Sequence, residues 1–280
     1  MRGEHAIKTL CRVLNVERST YYKHYNTPES KRSIENQEIR RAILSLYTKS
    51  KQRFGAPKIQ LRLAAEYGIK ISIGRVYRLI AGMALPKMST VRPKPATNAE
   101  NTNTDYTNVL KKQFNPDAPN KAWVSDITYV RVNGRFHYVC AVIDLYARKL
   151  IACKASAKMD VSLTLSTFNA AYVSRREPTG VIFHSDRGSQ YTAKDFRRRM
   201  DEVHFIQSFS AKAHPYDNAV SEAFFRYLKH EEVNRRSFST LAELELALFE
   251  YAHFYNHARP HSANDGLSPV EMEECFLIKI

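Results

Sequence analysis

A turn-punctuated block of strand-like sequence in mid-chain limits the possible folds more than any other feature. Trp123 to Val130 is an alternating run rich in β-branched and aromatic residues, and Asn133-Gly134 is a strong two-residue hairpin signal. Phe136 to Ile143 reads as the returning strand and Leu150 to Ala155 as a third. Helix and strand then alternate. A helix is expected over 160–175, and a short buried strand at Val181-Ile182-Phe183 runs into His184-Ser185-Asp186. A helix over 193–202, a strand over 204–209 and long helices over about 217–232 and 241–257 complete the pattern. Three meandering strands followed by alternating helices and strands predict an α/β domain on a mixed sheet.

The sequence before this block is helical and basic. Residues 1–120 hold 22 Lys and Arg against 9 Asp and Glu, whereas residues 121–280 hold 21 against 19, so the net charge of +15 is concentrated in the first part. A basic segment attracts polyanions. Charge alone also fits a solubilising surface or an anionic membrane. Ala6, Leu10, Val13 and Leu14 recur at helical spacing, residues 15–18 break the pattern, and Ser19 is an N-cap candidate for a short helix carrying Lys23. That helix suits a recognition helix in a major groove, and equally one arm of a plain helical hairpin. Further helices are expected over 35–49, 56–66 and 73–84, with Gly55-Ala56-Pro57 opening the middle one and Gly68 closing it. Arg75 and Arg78 lie three apart on one face of the last helix. Two helix-turn-helix signals on a basic segment favour double-stranded DNA as partner. Residues 86–119 are rich in Pro, Asn and Thr, the composition of a linker. The expected domains are therefore a helix-turn-helix over 1–28, a second over 29–85, a linker over 86–119 and the α/β core over 120–280.

No stretch approaches the roughly 18–20 apolar residues of a membrane span, and the N-terminus has no signal-peptide core. A cytoplasmic protein is expected, with no membrane partner. Cys11, Cys140, Cys153 and Cys275 are far apart and lack zinc-site spacing, which suits reduced thiols used as small hydrophobes.

Three acids stand out. Asp126 sits inside a β-rich run, where a carboxylate is disfavoured by propensity and costly to bury unpaired. A bound cation would offset that cost. Asp186 sits where the fourth strand ends, and Glu222 lies in the helix after Asp217-Asn218. Three convergent carboxylates would make a hard oxygen site suited to Mg²⁺ or Mn²⁺. Two such ions can activate an oxygen nucleophile on one side of a phosphodiester and stabilise the leaving oxygen on the other. Spacing alone does not show that the three acids meet.

The words around the acids go further. WVSDITYV surrounds Asp126, HSDRGSQY surrounds Asp186, PYDNAVSEAFFRYLKHE surrounds Glu222, and YNHARPHSANDGLSPVE lies near the end. There are 35 residues between Asp186 and Glu222. This pattern resembles the aspartate–aspartate–glutamate triad of retroviral integrases and, over nearly the whole chain, the second-reading-frame transposase of the insertion sequence three family. RFGAPKIQLRLAAEYG resembles that family's helix-turn-helix region. The resemblance implies a ribonuclease H-like five-stranded mixed sheet with flanking helices, preceded by all-α DNA-binding modules. It implies Asp126, Asp186 and Glu222 as catalytic, metal-holding residues, with about two ions per site. It implies cleavage of 3′ ends of an insertion sequence and strand transfer, end-binding at terminal inverted repeats, and a homo-oligomer on paired ends. It further implies a nucleoid-associated location in a bacterial cytoplasm, and an upstream-frame partner or frameshift fusion. The zinc-binding His/Cys domain of retroviral integrases has no counterpart in His5, Cys11 and His24, so metal-free N-terminal readers are expected.

Several neighbours are candidates beside the triad. Lys229 lies seven residues after Glu222, about two helical turns, and suits a grip on terminal phosphates. Arg187 is a candidate DNA contact. His184 and Gln190 fit either orientation of the Asp186 carboxylate or a touch on DNA, and Gly188 fits a turn. Asp217 or Asn218 fits a helix cap, and Asn218 a DNA contact as well. Trp123 is expected in the core. Tyr255-Asn256 and Arg259-Pro260-His261 fit packing or DNA contact alike.

Overall fold

A computed structural model describes residues 6–26, 29–86, 107–210 and 218–278. Most of the expected linker, 87–106, and Tyr216-Asp217 before the Glu222 helix lie outside the described residues.

Five helices come first: α1 (Ile7–Val13), α2 (Arg18–Asn26), α3 (Lys31–Lys49), α4 (Ala56–Tyr67) and α5 (Ile73–Ala81). Their ends follow local chemistry. Ser30 and Ser72 cap α3 and α5, each accepting from the backbone N–H three residues on. Gly55 precedes α4, Pro57 sits in its first turn, and Gly68 ends it in the left-handed conformation at φ +67. Some boundaries differ from the sequence expectation, and α3 starts at Lys31, four residues before 35. Ser19 lies inside α2 rather than before it, and α5 stops at Ala81, three residues short of 84.

The core follows as β1 (Ala122–Val132), β2 (Arg135–Asp144), β3 (Lys149–Ser156), α6 (Val161–Ser174), β4 (Ile182–Ser185), α7 (Ser189–Thr192), α8 (Lys194–Glu202), β5 (Ile206–Phe209), α9 (Ala219–Glu231), α10 (Leu241–His257) and α11 (Pro269–Ile278). The sheet order is β3-β2-β1-β4-β5. β1, β2 and β3 pair antiparallel, and β4 and β5 pair parallel to β1. This is the ribonuclease H-like arrangement. The β1–β2 turn is made by Asn133 at φ +47 and Gly134 at φ +75, the double left-handed geometry of a type I′ turn.

Alternation along β1 feeds two cores. Trp123 belongs to an aromatic layer with Phe168, Phe183, Phe196 and Phe205, under α6 and α8. Val124, Val130 and Val132 join Phe224, Leu228, Leu248 and Tyr251 of α9 and α10. Asp126 has the parity of Val124, so it faces the α9 side of the sheet.

The α3–α5 helices share that second core through Ile39, Ile43, Leu63 and Leu79. Ion pairs join the two parts: Arg53 to Glu232, Lys58 to Glu231 and Arg62 to Glu271. On the other side, the N–H groups of Val109 and Leu110 donate to Ser208 Oγ on β5 at 2.9 and 3.0 Å. Among the described residues no helix is long and apolar enough to cross a membrane.

Candidate active site

Strand register brings the two aspartates together. Val124 of β1 is the parallel partner of His184 on β4. Asp126 and Asp186 each lie two residues beyond that pair, so they leave adjacent parallel strands side by side. β1 continues past this point because β2 still pairs with it, Asp126 opposite Ala141. Glu222 stands in the first turn of α9, which packs on β1. A helix N-terminus favours a negative charge there.

The electrostatics reflect this crowding. Burial, then the Asp186 and Glu222 charges, push the Asp126 carboxyl up to about 7, opposed by a 2.7 Å bond from the Ile127 N–H. Burial also raises Asp186, opposed by a 2.9 Å bond from the Gly188 N–H. Asp126 senses both other carboxylates, and hard oxygen donors grouped in this way are a set that a divalent cation would satisfy. Among the described residues, no three His, Cys, Asp or Glu side chains stand together as a ready-made metal cluster.

Lys229 is the cation of the site. Its Nζ lies 4.8 Å from the Tyr129 ring centroid. Burial lowers its pKa, and the Asp126 charge opposes this. Gly188 sits in the turn after β4, its N–H donating back to the Asp186 carboxylate two residues earlier, but that turn is not what requires glycine. Its φ is −56, which any residue adopts. A Cβ there, however, would lie 2.9 Å from both Asp186 Oδ1 and Gln190 Oε1. Glycine is needed because the Asp186 carboxyl folds back over its own following loop.

Comparison with known proteins gives the family of the chain. Residues 116–215 and 222–277 match two models described as integrase core domain, and residues 34–94 match an HTH-like domain. Transposase InsF for insertion sequence IS3A of Escherichia coli (strain K12) is 33% identical over 275 residues, covering 97% of this chain and 95% of that protein. The chain belongs to the IS3 transposase family. The uncharacterized 31 kDa protein of insertion element IS600 from Shigella sonnei is 32% identical, covering 95% and 98%. Among solved structures, the HTLV-2 integrase catalytic core domain in complex with magnesium (trimeric form) matches 56% of this chain and 98% of that one, with 14% identity and a TM-score of 0.43.

The other candidate residues of this transposase chain fall into distinct places. His184 is fully buried, its ring nitrogens 2.9 and 3.1 Å from Ser208 Oγ and Ser210 Oγ, so it ties β4 to β5. Gln190 donates to the Met159 carbonyl at 3.4 Å. Arg187 donates to the Ser210 carbonyl at 3.0 Å. Asn218 makes no cap bond. It is buried and donates to the Ser125 carbonyl at 3.3 Å, tying the start of α9 to β1 beside Asp126. Trp123 is fully buried in the aromatic core. Lys23 and Arg78 are exposed on α2 and α5. Arg75 is bound to Glu35 and Asn36 of α3, which braces the α3–α5 pair.

The C-terminal word packs. Arg259 clamps Glu231 with two of its nitrogens at 3.0–3.1 Å, and Tyr251 and Lys58 reach the same carboxylate at 3.0 and 2.6 Å. Burial pushes Glu231 up, but Arg259 and Lys58 outweigh it and hold the carboxyl below its ordinary value. Asn256 bonds both backbone groups of Leu150, and Asn264 donates to the Ala147 carbonyl. Glu231, Lys58 and Tyr251 have no sequence signal that pairs them, since their partners lie in different words.

Proposed function

We propose that this transposase cleaves 3′ ends of an insertion sequence and transfers them to a new phosphodiester, using Mg²⁺ or Mn²⁺ held by Asp126, Asp186 and Glu222. The observation that carries the reading is the exit of Asp126 and Asp186 from neighbouring parallel strands, with Glu222 brought over the same strand by α9. Bound ions, two by analogy with two-metal sites, would supply activation of the attacking oxygen and stabilisation of the leaving one. Asp126, whose carboxyl is pushed up by burial and by its acidic neighbours, would have to be deprotonated to hold a cation. Lys229, beside Asp126, is placed to neutralise a phosphate next to the reacting bond. Lys23, Arg78 and Arg187 are proposed as phosphate contacts that position DNA, with Arg75 and Asn218 acting from behind them through the bonds described. The helical modules over 1–28 and 29–85 would read terminal inverted repeats. Action on paired ends calls for more than one protomer, and an upstream-frame partner or fusion fits an N-terminal extension of the reader. With the chromosome as substrate, the protein would work in the cytoplasm at the nucleoid.

A strand-transfer assay on labelled inverted-repeat ends with Mg²⁺ tests this. Wild-type protein is expected to yield joined products. Asp126→Asn is expected to lower the rate by at least about 1,000-fold while duplex affinity changes less than about threefold. Hydrolysed but never joined ends would sink the transferase reading, and parallel loss of DNA binding would make Asp126 a structural residue.

A further inference from the structure

The β1–β2 hairpin carries aromatic rings into solvent close to the triad. Tyr129 is 42% exposed and Phe136 49%. Tyr129 lies opposite Tyr138 and Arg131 opposite Phe136, so Tyr129 and Phe136 are diagonal neighbours on one face of the hairpin. Their rings meet edge to face with centroids 5.1 Å apart. A diagonal aromatic pair stabilises a hairpin, but it does not explain the charge around it. Between Asp126 and Asp144 the chain has no acidic residue, whereas Arg131 and Arg135 both fall there. Both arginines are exposed, and neither makes an ion pair among the described residues. Solvent-facing rings beside unopposed cations suit a polyanion that also presents flat apolar groups, which describes nucleic acid.

The rings are accessible. Two rings have four faces. The edge-to-face contact covers at most one, the Lys229 ammonium lies over one of Tyr129 at 4.8 Å, and the Arg131 guanidinium lies over one of Phe136 at 5.0 Å. At least one face is left, on a residue more than two-fifths exposed. The tip that carries them is anchored: the Asn133 N–H donates to the Phe238 carbonyl at 2.8 Å, and buried Val132 bridges to the same residue. A braced platform binds with little ordering cost.

Its place relative to the triad fixes the reach. Tyr129 is three residues beyond Asp126 on β1, about 10 Å along the strand. It has the opposite parity and leaves the other face of the sheet. Lys229 joins the two faces, since the Asp126 charge acts on it and its Nζ is the atom over the Tyr129 ring. β4 pairs with β1 only at residues 122–124, so among the described residues β1 has no strand partner on that side beyond Val124. A DNA strand with a phosphate at the triad can cross this open edge and meet the rings within about three nucleotides, at roughly 3.4 Å each.

We propose that the Tyr129–Phe136 pair stacks one base lifted out of the DNA helix, within about three nucleotides of the phosphate at the triad, while Arg131 and Arg135 hold neighbouring phosphates. The base is a lifted one because a base inside a duplex has both faces covered by its neighbours. The proposal rests on the reading that the chain acts on DNA ends, and adds a distortion of the strand beside the reacting bond.

The test uses the full chain in EDTA, bound to inverted-repeat end duplexes carrying 5-iododeoxyuridine at successive positions around the reacting phosphate. After near-ultraviolet irradiation, adducts are mapped by mass spectrometry. Adducts to Tyr129 or Phe136 from one or two adjacent positions are expected. In a duplex mismatched at that position, where pairing no longer has to be broken, an abasic site in place of the base should weaken wild-type binding at least about fivefold. The Tyr129→Leu, Phe136→Leu double variant should lose less than about twofold. The crosslink is read on unaltered protein, so it does not depend on a variant folding. Adducts confined to other regions would overturn the proposal. So would equal abasic penalties in wild type and variant, the result expected of a pair that only steadies the hairpin. Strand transfer by the wild type would leave the transposase reading standing in either case, whereas failure of the wild type to bind end duplexes at all would overturn both.

Discussion

Gly188→Ala separates the geometry of the site from the stability of the fold. The backbone at Gly188, φ −56 and ψ 145, accepts alanine without strain. The new methyl would meet Asp186 Oδ1 and Gln190 Oε1 at 2.9 Å each, closer than a carbon and an oxygen can approach. Gln190 has a long side chain and swings away at little cost. Asp186 is short, and its Oδ1 already accepts the Gly188 N–H at 2.9 Å. Its carboxyl must therefore rotate, and that bond is lost. Loss of an exposed charged hydrogen bond costs about 1 kcal/mol, and the smaller entropy of the unfolded alanine chain returns about 0.4–1 kcal/mol. Tm should consequently move by no more than a few degrees. A carboxylate displaced by about 1 Å in a metal site is another matter, with a rate loss of roughly 100-fold. Single-turnover strand transfer with Mg²⁺, beside calorimetry, measures both. Adding Gln190→Ala to the same variant should restore nothing if Asp186 is the group displaced. A Gly188→Ala protein joining ends within threefold of the wild-type rate would refute the argument.

Further outcomes follow from the same geometry. Asp126 carries a folded-state pKa of about 7 against an unfolded value of about 3.9, so its contribution to metal-free stability is fully present below about pH 4 and is lost as pH rises through 7. Asp126→Asn should accordingly stabilise the fold in EDTA at pH 8 by about 2–4 kcal/mol, read as a higher Tm, and leave it nearly unchanged at pH 4; an equal shift at both would contradict this. Mg²⁺ affinity of the wild type, by calorimetric titration, should climb with pH and level off above 7, because the ion competes with that proton. Arg259→Ala leaves the buried Glu231 carboxylate with Lys58 as its one remaining cation, and should cost about 3–5 kcal/mol, seen as a drop in Tm of roughly 10 °C or more.

What the sequence discloses follows the range of the interaction. The β1–β2 hairpin is legible because Asn133-Gly134 dictates its own turn, and α4 because Gly55, Pro57 and Gly68 punctuate it locally. Asp126 is legible as a chemical anomaly in a run that otherwise alternates for burial. α11 is not, since Pro269 and Glu273 are its buried positions and no apolar stripe marks it. Arg75 has the spacing of a base reader, yet Glu35 and Asn36, about forty positions earlier, occupy its guanidinium. Arg259 and Glu231 are 28 residues apart, and Lys58 and Glu231 173. Each is an ordinary surface-type residue until the fold removes it from water, and the choice of partner is made only there.

α9 shows why those long-range pairs matter for the chemistry. Its first turn carries Glu222, its last carries Lys229, and Glu231 ends it. Asn218 ties the beginning to the carbonyl of Ser125, next to Asp126, while Arg259, Lys58 and Tyr251 fix the end. A helix held at both ends cannot slide along its axis without breaking a buried bond, so the Glu222 carboxylate keeps its height over β1 even though its own side chain is exposed. The buried ion pairs at Glu231 fix the far end of the helix, and one of them is made with Lys58 of α4. The Glu222 carboxylate is thus positioned partly by α4, which shares one continuous core with α9.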